Sequence, residues 1–404
     1  MAGIFKAFSK SRRNSTASIK SSKSRRNSHG APNGLQNFEV PVDINDRPIF
    51  TKKHTLVVAA STPDFDDVQL QQWRDEGYEV HYEYVHGKHR SSTFGVQRIG
   101  DGLEEGQKYA IVAYDHAASL LLHEAFEVLP KLCAFVAFYP DALPGSDITP
   151  RGNFQLQVHL AGTQPFAPAY PSYNYPATHP GFDERTSPAY DRVAAGLAWS
   201  RALSCVRKGF GIEPDLEGIR ERHLAEEFLH KDAAATIRTM SLNPSVLHVP
   251  TLTGGVGQRE LYRFYAEEFI PKNPPSIQTT LVSRTVGSDK VVDEMLISMT
   301  HTCEVPWLLP GVPPTNKHLE VALVSVVSIR GQKLEWERLY WDQASVLVQA
   351  GLLDPRLGAI GLGQGGAQGL PGLKQLPIVG AEGSLKVLEG AEGPIKYNEL
   401  IKDW

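Results

Sequence analysis

The chain is poor in cysteine, with three in 404 residues, and it has no long apolar run. Cys133, Cys205 and Cys303 stand far apart, which argues against a disulfide scaffold and a cysteine metal site. No stretch of about 18 apolar residues occurs, so we expect no transmembrane helix. The first residues lack the apolar core of a secretory signal, which argues against secretion.

Acidic residues are missing from residues 1–38, which contain eight basic ones. Because the whole chain carries −4, the remaining residues carry −12. An acidic body does not favour a nucleic-acid-binding surface, so we expect no nucleic-acid partner. We predict a cytoplasmic protein. Mitochondrial targeting is the alternative, because the first segment is free of acids, rich in serine and contains arginine.

Residues 1–38 are rich in serine, lysine and arginine, and we predict a disordered tail because such a segment buries little apolar surface. The hexamer Lys-Ser-Arg-Arg-Asn-Ser occurs at 10–15 and again at 23–28. Both copies match the pattern of basophilic-kinase sites, with Ser15 and Ser28 as the phosphate acceptors. A solvated basic tail without function is one alternative, and a weak contact with a membrane surface is another.

Residues 39–212 alternate short apolar runs with helical patterns, which predicts an α/β domain with a parallel sheet covered on both faces. The strand-like runs are His54–Ala60, Tyr78–Val85, Lys108–Tyr114, Leu132–Phe138 and Phe154–Ala161. A long helix is predicted at Ser187–Lys208.

Residues 213–355 begin with helical patterns and continue with four long strand-like runs, which predicts an α+β domain with a curved antiparallel sheet. The strand-like runs are Ile277–Val286, Lys290–Cys303, His318–Ile329 and Lys333–Trp341. Residues 356–404 are rich in glycine, and we predict a mostly flexible tail whose end could dock on the body.

One strand of the first domain runs directly into a helix through small residues, in the sequence Ala113-Tyr114-Asp115-His116-Ala117-Ala118. Such a junction is typical of a nucleophile elbow. Together with Glu76-Gly77-Tyr78 and His179-Pro180-Gly181-Phe182, it resembles the dienelactone hydrolase family over roughly residues 54–210. The resemblance implies an α/β-hydrolase-like fold.

That resemblance implies a Cys-His-Asp triad, from which this chain departs. Asp115 stands where the family has its cysteine, His179 matches the family's histidine, and no carboxylate follows the strand that ends at Ala161. Asp115 and His179 are therefore candidates for hydrolysis of an activated ester or lactone. The alternative, which we favour, is a pseudoenzyme that kept the fold and lost catalysis.

The second domain resembles the SnoaL-like polyketide-cyclase family through motifs that occur in the family's order. They are Glu260–Ile270, Arg284–Gly287, Val291–Glu294, Thr300–Thr302 and Tyr340–Val346. The resemblance implies a cone like that of nuclear transport factor 2, with a bent sheet around a pocket. It also implies cofactor-free acid/base chemistry beside a carbonyl.

Period-two alternation along two strands predicts the side chains that face this pocket. The inward positions include Met295, Met299, His301, Trp336, Tyr340 and Asp342. We take Asp342 as the candidate acid/base and His301 as its partner, with Glu294 third although alternation turns it outward. The expected ligand is a small apolar molecule with a carbonyl group, bound without metal or cofactor.

Two alternatives remain for this second domain. Asp342 precedes a helical segment, so its carboxylate could serve only as an N-cap. The domain could equally be a non-catalytic binding module or scaffold, because function does not follow from the fold. The sequence is also compatible with a homodimer.

Overall fold

The computed structural model describes residues 54–86, 94–127, 129–145, 149–358 and 375–401, which contain two separate six-stranded sheets. Ser15, Ser28 and the basic segment around them lie outside the described residues. None of the described helices is long and apolar enough to cross a membrane.

The first sheet is parallel throughout, with the strand order β2-β1-β3-β4-β5-β6. Its strands are β1 (His54–Ala60), β2 (Tyr78–Tyr84), β3 (Tyr109–Tyr114), β4 (Leu132–Phe138), β5 (Gln155–Ala161) and β6 (Ser172–Tyr175). Its helices are α1 (Asp67–Asp75), α2 (Phe94–Gly102), α3 (Asp115–Glu127) and α4 (Arg192–Phe210).

The inner strands of this sheet are apolar along their whole length because both faces are covered. Leu56 and Val58 pack on one face with residues of α1 and α4, whereas Val57 and Ala59 pack on the other face with α3. This arrangement confirms the predicted parallel sheet with helices on both sides.

Helix α4 begins later than the predicted Ser187. The Asp191 carboxylate accepts hydrogen bonds from the backbone N–H of Val193 and Ala194, at 2.9 and 2.8 Å, and so caps the helix at Arg192. The sequence pattern also missed the short edge strand β6 and the helix α2.

The second sheet has the order β8-β7-β12-β11-β10-β9. Its strands are β7 (Met240–His248), β8 (Thr253–Val256), β9 (Gln278–Val286), β10 (Lys290–Thr300), β11 (His318–Arg330) and β12 (Lys333–Trp341). Its helices are α5 (Leu216–Leu224), α6 (Ala233–Arg238), α7 (Gln258–Arg263) and α8 (Gln343–Gln349). Two π-helical turns, Ala225–His230 and Phe264–Phe269, extend α5 and α7.

The expected antiparallel pairing fails at one position, because β7 runs parallel to β12. The sequence pattern did not predict β7, since Pro244 lies within it and proline disfavours a central strand. The second sheet is therefore mixed rather than purely antiparallel.

Part of the predicted flexible C-terminal tail is folded. A ninth helix, α9 (Glu382–Glu389), packs against β11, and the Ser384 hydroxyl accepts a hydrogen bond of 2.9 Å from the backbone N–H of Ala322. The glycine-rich residues 359–374 lie outside the described part of the chain.

Polar and charged side chains connect helix α4 of the first sheet to the turn between β9 and β10 of the second sheet. The Arg207 guanidinium on α4 contacts the buried Glu76 carboxylate at 2.7 Å and donates to the Ser288 carbonyl. Ser200 donates to the Asp289 carboxylate at 2.9 Å. Burial raises the pKa of Glu76 to about 7 despite the nearby Arg207 charge.

The boundary between the two domains, placed between residues 212 and 213, stays a prediction.

A neutral histidine lies in the interior of the first sheet. The His159 ring stacks on Phe138 with a centroid distance of 4.5 Å, and its two nitrogens contact the Tyr175 hydroxyl at 2.7 Å and the Gln157 amide oxygen at 2.9 Å. Burial, with a smaller effect from Arg201, lowers the pKa of His159 to about 3. The folded protein therefore keeps this imidazole neutral where an unfolded chain would protonate it.

We expect His159 to destabilise the fold as the pH falls. Its folded pKa lies below the unfolded value, so its contribution is present above pH 6.5 and is lost between pH 6.5 and 3. His159→Gln should remove up to about 5 kcal/mol of that loss. The measurement is the free energy of unfolding by urea at several pH values. The exposed control His123→Gln should leave the wild-type slope unchanged, and an equal slope in His159→Gln would contradict the assignment.

Candidate functional site

A mostly apolar cavity lies between the second sheet and the helices that cover it. About 70 Å³ of it is free space, enough for a few water molecules or a small organic group. Its apolar wall includes Leu224, Phe228, Val246, Phe269, Met295, Ile297, Trp307 and Leu339. Its polar wall includes Arg220, Glu227, His248, Tyr265 and Glu337. The polar groups come mainly from α5, the π-helical turn after it and β12.

A β-bulge decides which residues of β12 face this cavity. Ser328 of β11 pairs with Trp336, but the next residue, Ile329, pairs with Leu334, so Glu335 is an extra residue in β12. One extra residue reverses the side on which every following side chain lies. Glu337 and Leu339 consequently point inward, which corrects the predicted inward face of this strand.

The centre of the polar wall is the buried guanidinium of Arg220. Its Nε lies 3.1 Å from the Asp293 carboxylate, and its Nη2 lies 2.7 Å from Glu337 Oε1 and 3.1 Å from the Ser325 hydroxyl. The Arg284 guanidinium binds the other side of Asp293 at 2.6 Å. Burial alone would raise the pKa of Glu337, but Arg220, His223 and Ser325 hold it below its ordinary value.

His223 lies behind this wall with one ring nitrogen committed. Its Nδ1 is 2.6 Å from the Thr239 hydroxyl, which itself donates to the Thr236 carbonyl at 2.6 Å. Because Thr239 has one hydroxyl proton, Nδ1 must carry the hydrogen and donate it. The other nitrogen, Nε2, lies 3.1 Å from Glu227 Oε1 and 3.9 Å from Glu337 Oε2.

Two polar atoms of this cluster are buried without a hydrogen-bond partner in the described part of the chain: Arg220 Nη1 and His223 Nε2. Such groups cost about 1–3 kcal/mol each when they stay unsatisfied. They are therefore the positions at which a bound group would bring the largest gain.

Two further polar groups of the wall, His248 and Tyr265, are neutral. Burial lowers the pKa of His248 to about 4, and its ring lies parallel to Phe269 at a centroid distance of 6.0 Å. Burial also raises the pKa of Tyr265 well above its ordinary value, with a further effect from Glu227. Both side chains can donate or accept a hydrogen bond without adding charge.

The structure places the three residues predicted in and just after β12 away from the cavity. Asp342 is exposed and caps α8, accepting from the Ala344 N–H at 3.0 Å and from the Ser345 hydroxyl at 2.5 Å. Tyr340 is 41% exposed. Trp336 packs under the Arg338 guanidinium, which lies 4.3 Å from its ring centroid. Asp342 thus takes the capping role that the sequence left as the alternative to acid/base chemistry.

The predicted residues of β10 are on the buried face, with one exception. Met295 lines the cavity, whereas Met299 packs in the core beside it. His301 is buried, and its Nδ1 contacts the Thr315 hydroxyl at 3.0 Å; no hydrogen bond among the described residues joins it to Asp342. Burial lowers the pKa of His301. Glu294 is only partly buried and accepts a hydrogen bond of 2.9 Å from Ser283 on the neighbouring strand.

Asp115, the candidate nucleophile of the first sheet, lies at the β3–α3 junction with a positive φ of 51°. Its carboxylate accepts hydrogen bonds from Ser61 at 2.6 Å and from the Ala117 N–H at 3.0 Å. Such a left-handed residue between a strand and a helix has the strained conformation of a nucleophile elbow. His179 is exposed, and no hydrogen bond joins it to Asp115 among the described contacts.

Several polar groups that the sequence did not single out lie near Asp115. The Tyr139 hydroxyl donates to Glu184, whose pKa is raised by burial. Burial also raises the pKa of Asp183 to about 8. These groups make the surroundings of Asp115 acidic and poor in bases.

The cavity residues Arg220 and Glu227 and the adjacent His223 are three and four positions apart, and this spacing places them on one face of a helix. The same face carries the apolar Leu216 and Ile219. The presence of the basic Arg220 and the acidic Glu227 on an otherwise apolar helical face was a sequence signal for this site. Glu337 gave no comparable signal, because its side depends on the bulge.

No protein-family model matches the chain, and no curated protein matches it. Solved structures align with about a third of it. A Jannaschia sp. CCS1 protein described as SnoaL-like polyketide cyclase is 17% identical, with 35% of this chain and 99% of that chain covered and a TM-score of 0.29. A similarly described protein from Shewanella putrefaciens CN-32 is 11% identical, with 36% and 90% covered and a TM-score of 0.29.

An NTF2-like protein from Burkholderia xenovorans LB400 is 13% identical, with 33% of this chain and 94% of that chain covered and a TM-score of 0.26. Similarity at this level carries no argument about chemistry. The dienelactone hydrolase resemblance stays a prediction.

We expect Glu337→Gln to destabilise the protein by about 3 kcal/mol, because it removes the carboxylate that pairs directly with the buried Arg220 guanidinium at 2.7 Å. Asp342→Asn makes the same chemical change at an exposed cap. It should cost less than about 0.5 kcal/mol, since asparagine is also a good N-cap. Urea unfolding of both variants measures the difference. Equal effects would show that Arg220 does not depend on Glu337.

Proposed function

We propose that the cavity of the second sheet binds a small apolar molecule that carries a carbonyl group, with the carbonyl oxygen on Arg220. The observation that carries the proposal is the unpartnered Nη1 of Arg220 in the wall of an apolar cavity. A carbonyl oxygen accepts this N–H without adding a charge to the buried cluster. The alternative occupant, a carboxylate, would add a negative charge beside Glu227 and Glu337.

The rest of the wall supports an apolar ligand body. Aromatic side chains surround His248, with Phe264, Phe269, Trp307 and Trp341 at centroid distances of 5.6 to 6.0 Å. Apolar and aromatic walls with a few convergent polar groups are typical of small-molecule sites. The SnoaL-like sequence motifs favour the same ligand class.

Matched ligands test this proposal. Acetone and 2-methylpropene have similar shapes and sizes that suit a free space of about 70 Å³, and only the former has a carbonyl oxygen. We expect acetone to bind at least about tenfold more tightly, which corresponds to about 1.4 kcal/mol for the charge-assisted hydrogen bond. Ligand-observed NMR titration of the full chain measures both affinities. Equal affinities would refute the carbonyl contact.

A cavity-filling variant locates the site. Ala225 lines the cavity, so Ala225→Leu should reduce binding of both compounds. Ala391 is exposed on the C-terminal segment, and Ala391→Leu should leave binding unchanged. Unaltered binding in Ala225→Leu would place the ligand elsewhere.

Hydrolysis of activated esters or lactones by Asp115 and His179 is a second candidate function. The positive φ of Asp115 at the start of a helix favours it, because this conformation presents the carboxylate above the strand ends. The exposed His179 favours the competing hypothesis of a pseudoenzyme or scaffold.

Reaction with p-nitrophenyl acetate separates these two hypotheses. A nucleophilic Asp115 should displace p-nitrophenolate and form a mixed anhydride, which hydroxylamine traps as a hydroxamate adduct that peptide mass spectrometry detects on that residue. Asp115→Asn should abolish the adduct, and the exposed control Asp64→Asn should keep it. We expect no adduct in the wild-type protein, because hydrogen bonds from Ser61 and the Ala117 N–H to the Asp115 carboxylate lower its nucleophilicity. An adduct that disappears only in Asp115→Asn would establish the hydrolase instead.

A further inference from the structure

Three carboxylates and two guanidinium groups are buried together in and beside the polar wall of the cavity. The side chains of Asp293, Glu337 and Glu227 are at most 5% exposed, and those of Arg220 and Arg284 at most 6%. The carboxylates exceed the guanidiniums by one charge. Buried charges are stable when they are compensated, so this cluster favours one more cation.

The unpartnered Nε2 of His223 lies where that cation would bind. Since Nδ1 donates to Thr239, a neutral His223 presents a lone pair at Nε2. The lone pair then faces two carboxylate oxygens, which cannot donate when ionised. A metal ion placed among the three donors would satisfy all of them.

The donor spacing fits a small divalent metal ion. His223 Nε2 lies 3.1 Å from Glu227 and 3.9 Å from Glu337, and all three donor atoms lie within 4.8 Å of one another. Zinc binds histidine nitrogen and carboxylate oxygen at about 2.0–2.2 Å, so two of its tetrahedral ligands are about 3.4 Å apart. Shifts of a few tenths of an ångström to about one ångström would complete the site.

We propose that His223 Nε2, Glu227 and Glu337 bind a divalent transition metal ion, for which Zn²⁺ is the probe. Three protein ligands leave one coordination position open, as in catalytic zinc sites. Glu227 and Glu337 line the cavity, so the open position faces it. Thr239 on Nδ1, and Arg220 and Ser325 on Glu337, are the outer partners that orient metal ligands.

This inference deepens the proposed function and rests on it only for the fate of the carbonyl group. An open metal position beside the cavity would polarise a carbonyl oxygen bound there. Metal binding itself needs no organic ligand, so the two proposals can fail separately. If acetone binds and Zn²⁺ does not, the cavity proposal stands and the metal site is refuted.

The test is titration of the chelator-treated full chain with Zn²⁺ by calorimetry. We expect one ion per chain and a Kd below about 10 µM, with binding reduced at least about 100-fold in Glu227→Gln. The matched control is Glu226→Gln on the same π-helical turn, where Glu226 pairs with the half-exposed His230 instead. It should bind as the wild-type protein does.

Two further readouts make the result independent of variant folding. Zinc should raise the melting temperature of the wild-type protein and Glu226→Gln but not that of Glu227→Gln. Anomalous scattering from zinc-soaked wild-type crystals should place the ion at His223 Nε2. No stoichiometric binding, or an ion located elsewhere, would overturn the proposal.

Discussion

The burial of Arg220 is the constraint on which the second half of the molecule depends. Its guanidinium is 1% exposed and joins α5 to β10, β11 and β12 through Asp293, Ser325 and Glu337. A buried cation needs these partners, and removing one leaves an uncompensated charge. The helix and the sheet are therefore held at a separation that leaves the cavity between them.

The same cluster gives the cavity its chemistry. A core built only of apolar side chains would close by packing, whereas the cluster keeps two polar atoms, Arg220 Nη1 and His223 Nε2, without partners. Arg220 Nη1 is a hydrogen-bond donor suited to a carbonyl oxygen, and His223 Nε2 has a lone pair suited to a metal ion. Buried polar groups that the fold leaves unsatisfied are frequent at functional sites.

The first sheet has its own polar centre at the carboxyl ends of β1, β3 and β4. Asp115 is held there by Ser61 and by the first turn of α3, and Glu184 and Asp183 lie nearby. A left-handed aspartate at this position keeps the shape of a nucleophile elbow among groups that are acids rather than bases.

The sequence by itself determined the parallel first sheet, the later helices and most long strands, because burial on one or two faces imposes a period that local sequence shows. It also placed Met295 on the inner side of β10. Only the tertiary structure decided the site. Glu335 bulges out of β12 and turns Glu337 inward in place of Asp342, and Arg220 meets its partners across more than 70 residues of chain. The spacing of apolar residues in the sequence reveals neither effect. A bulge depends on the neighbouring strand, and an ion cluster forms only when the whole domain has folded.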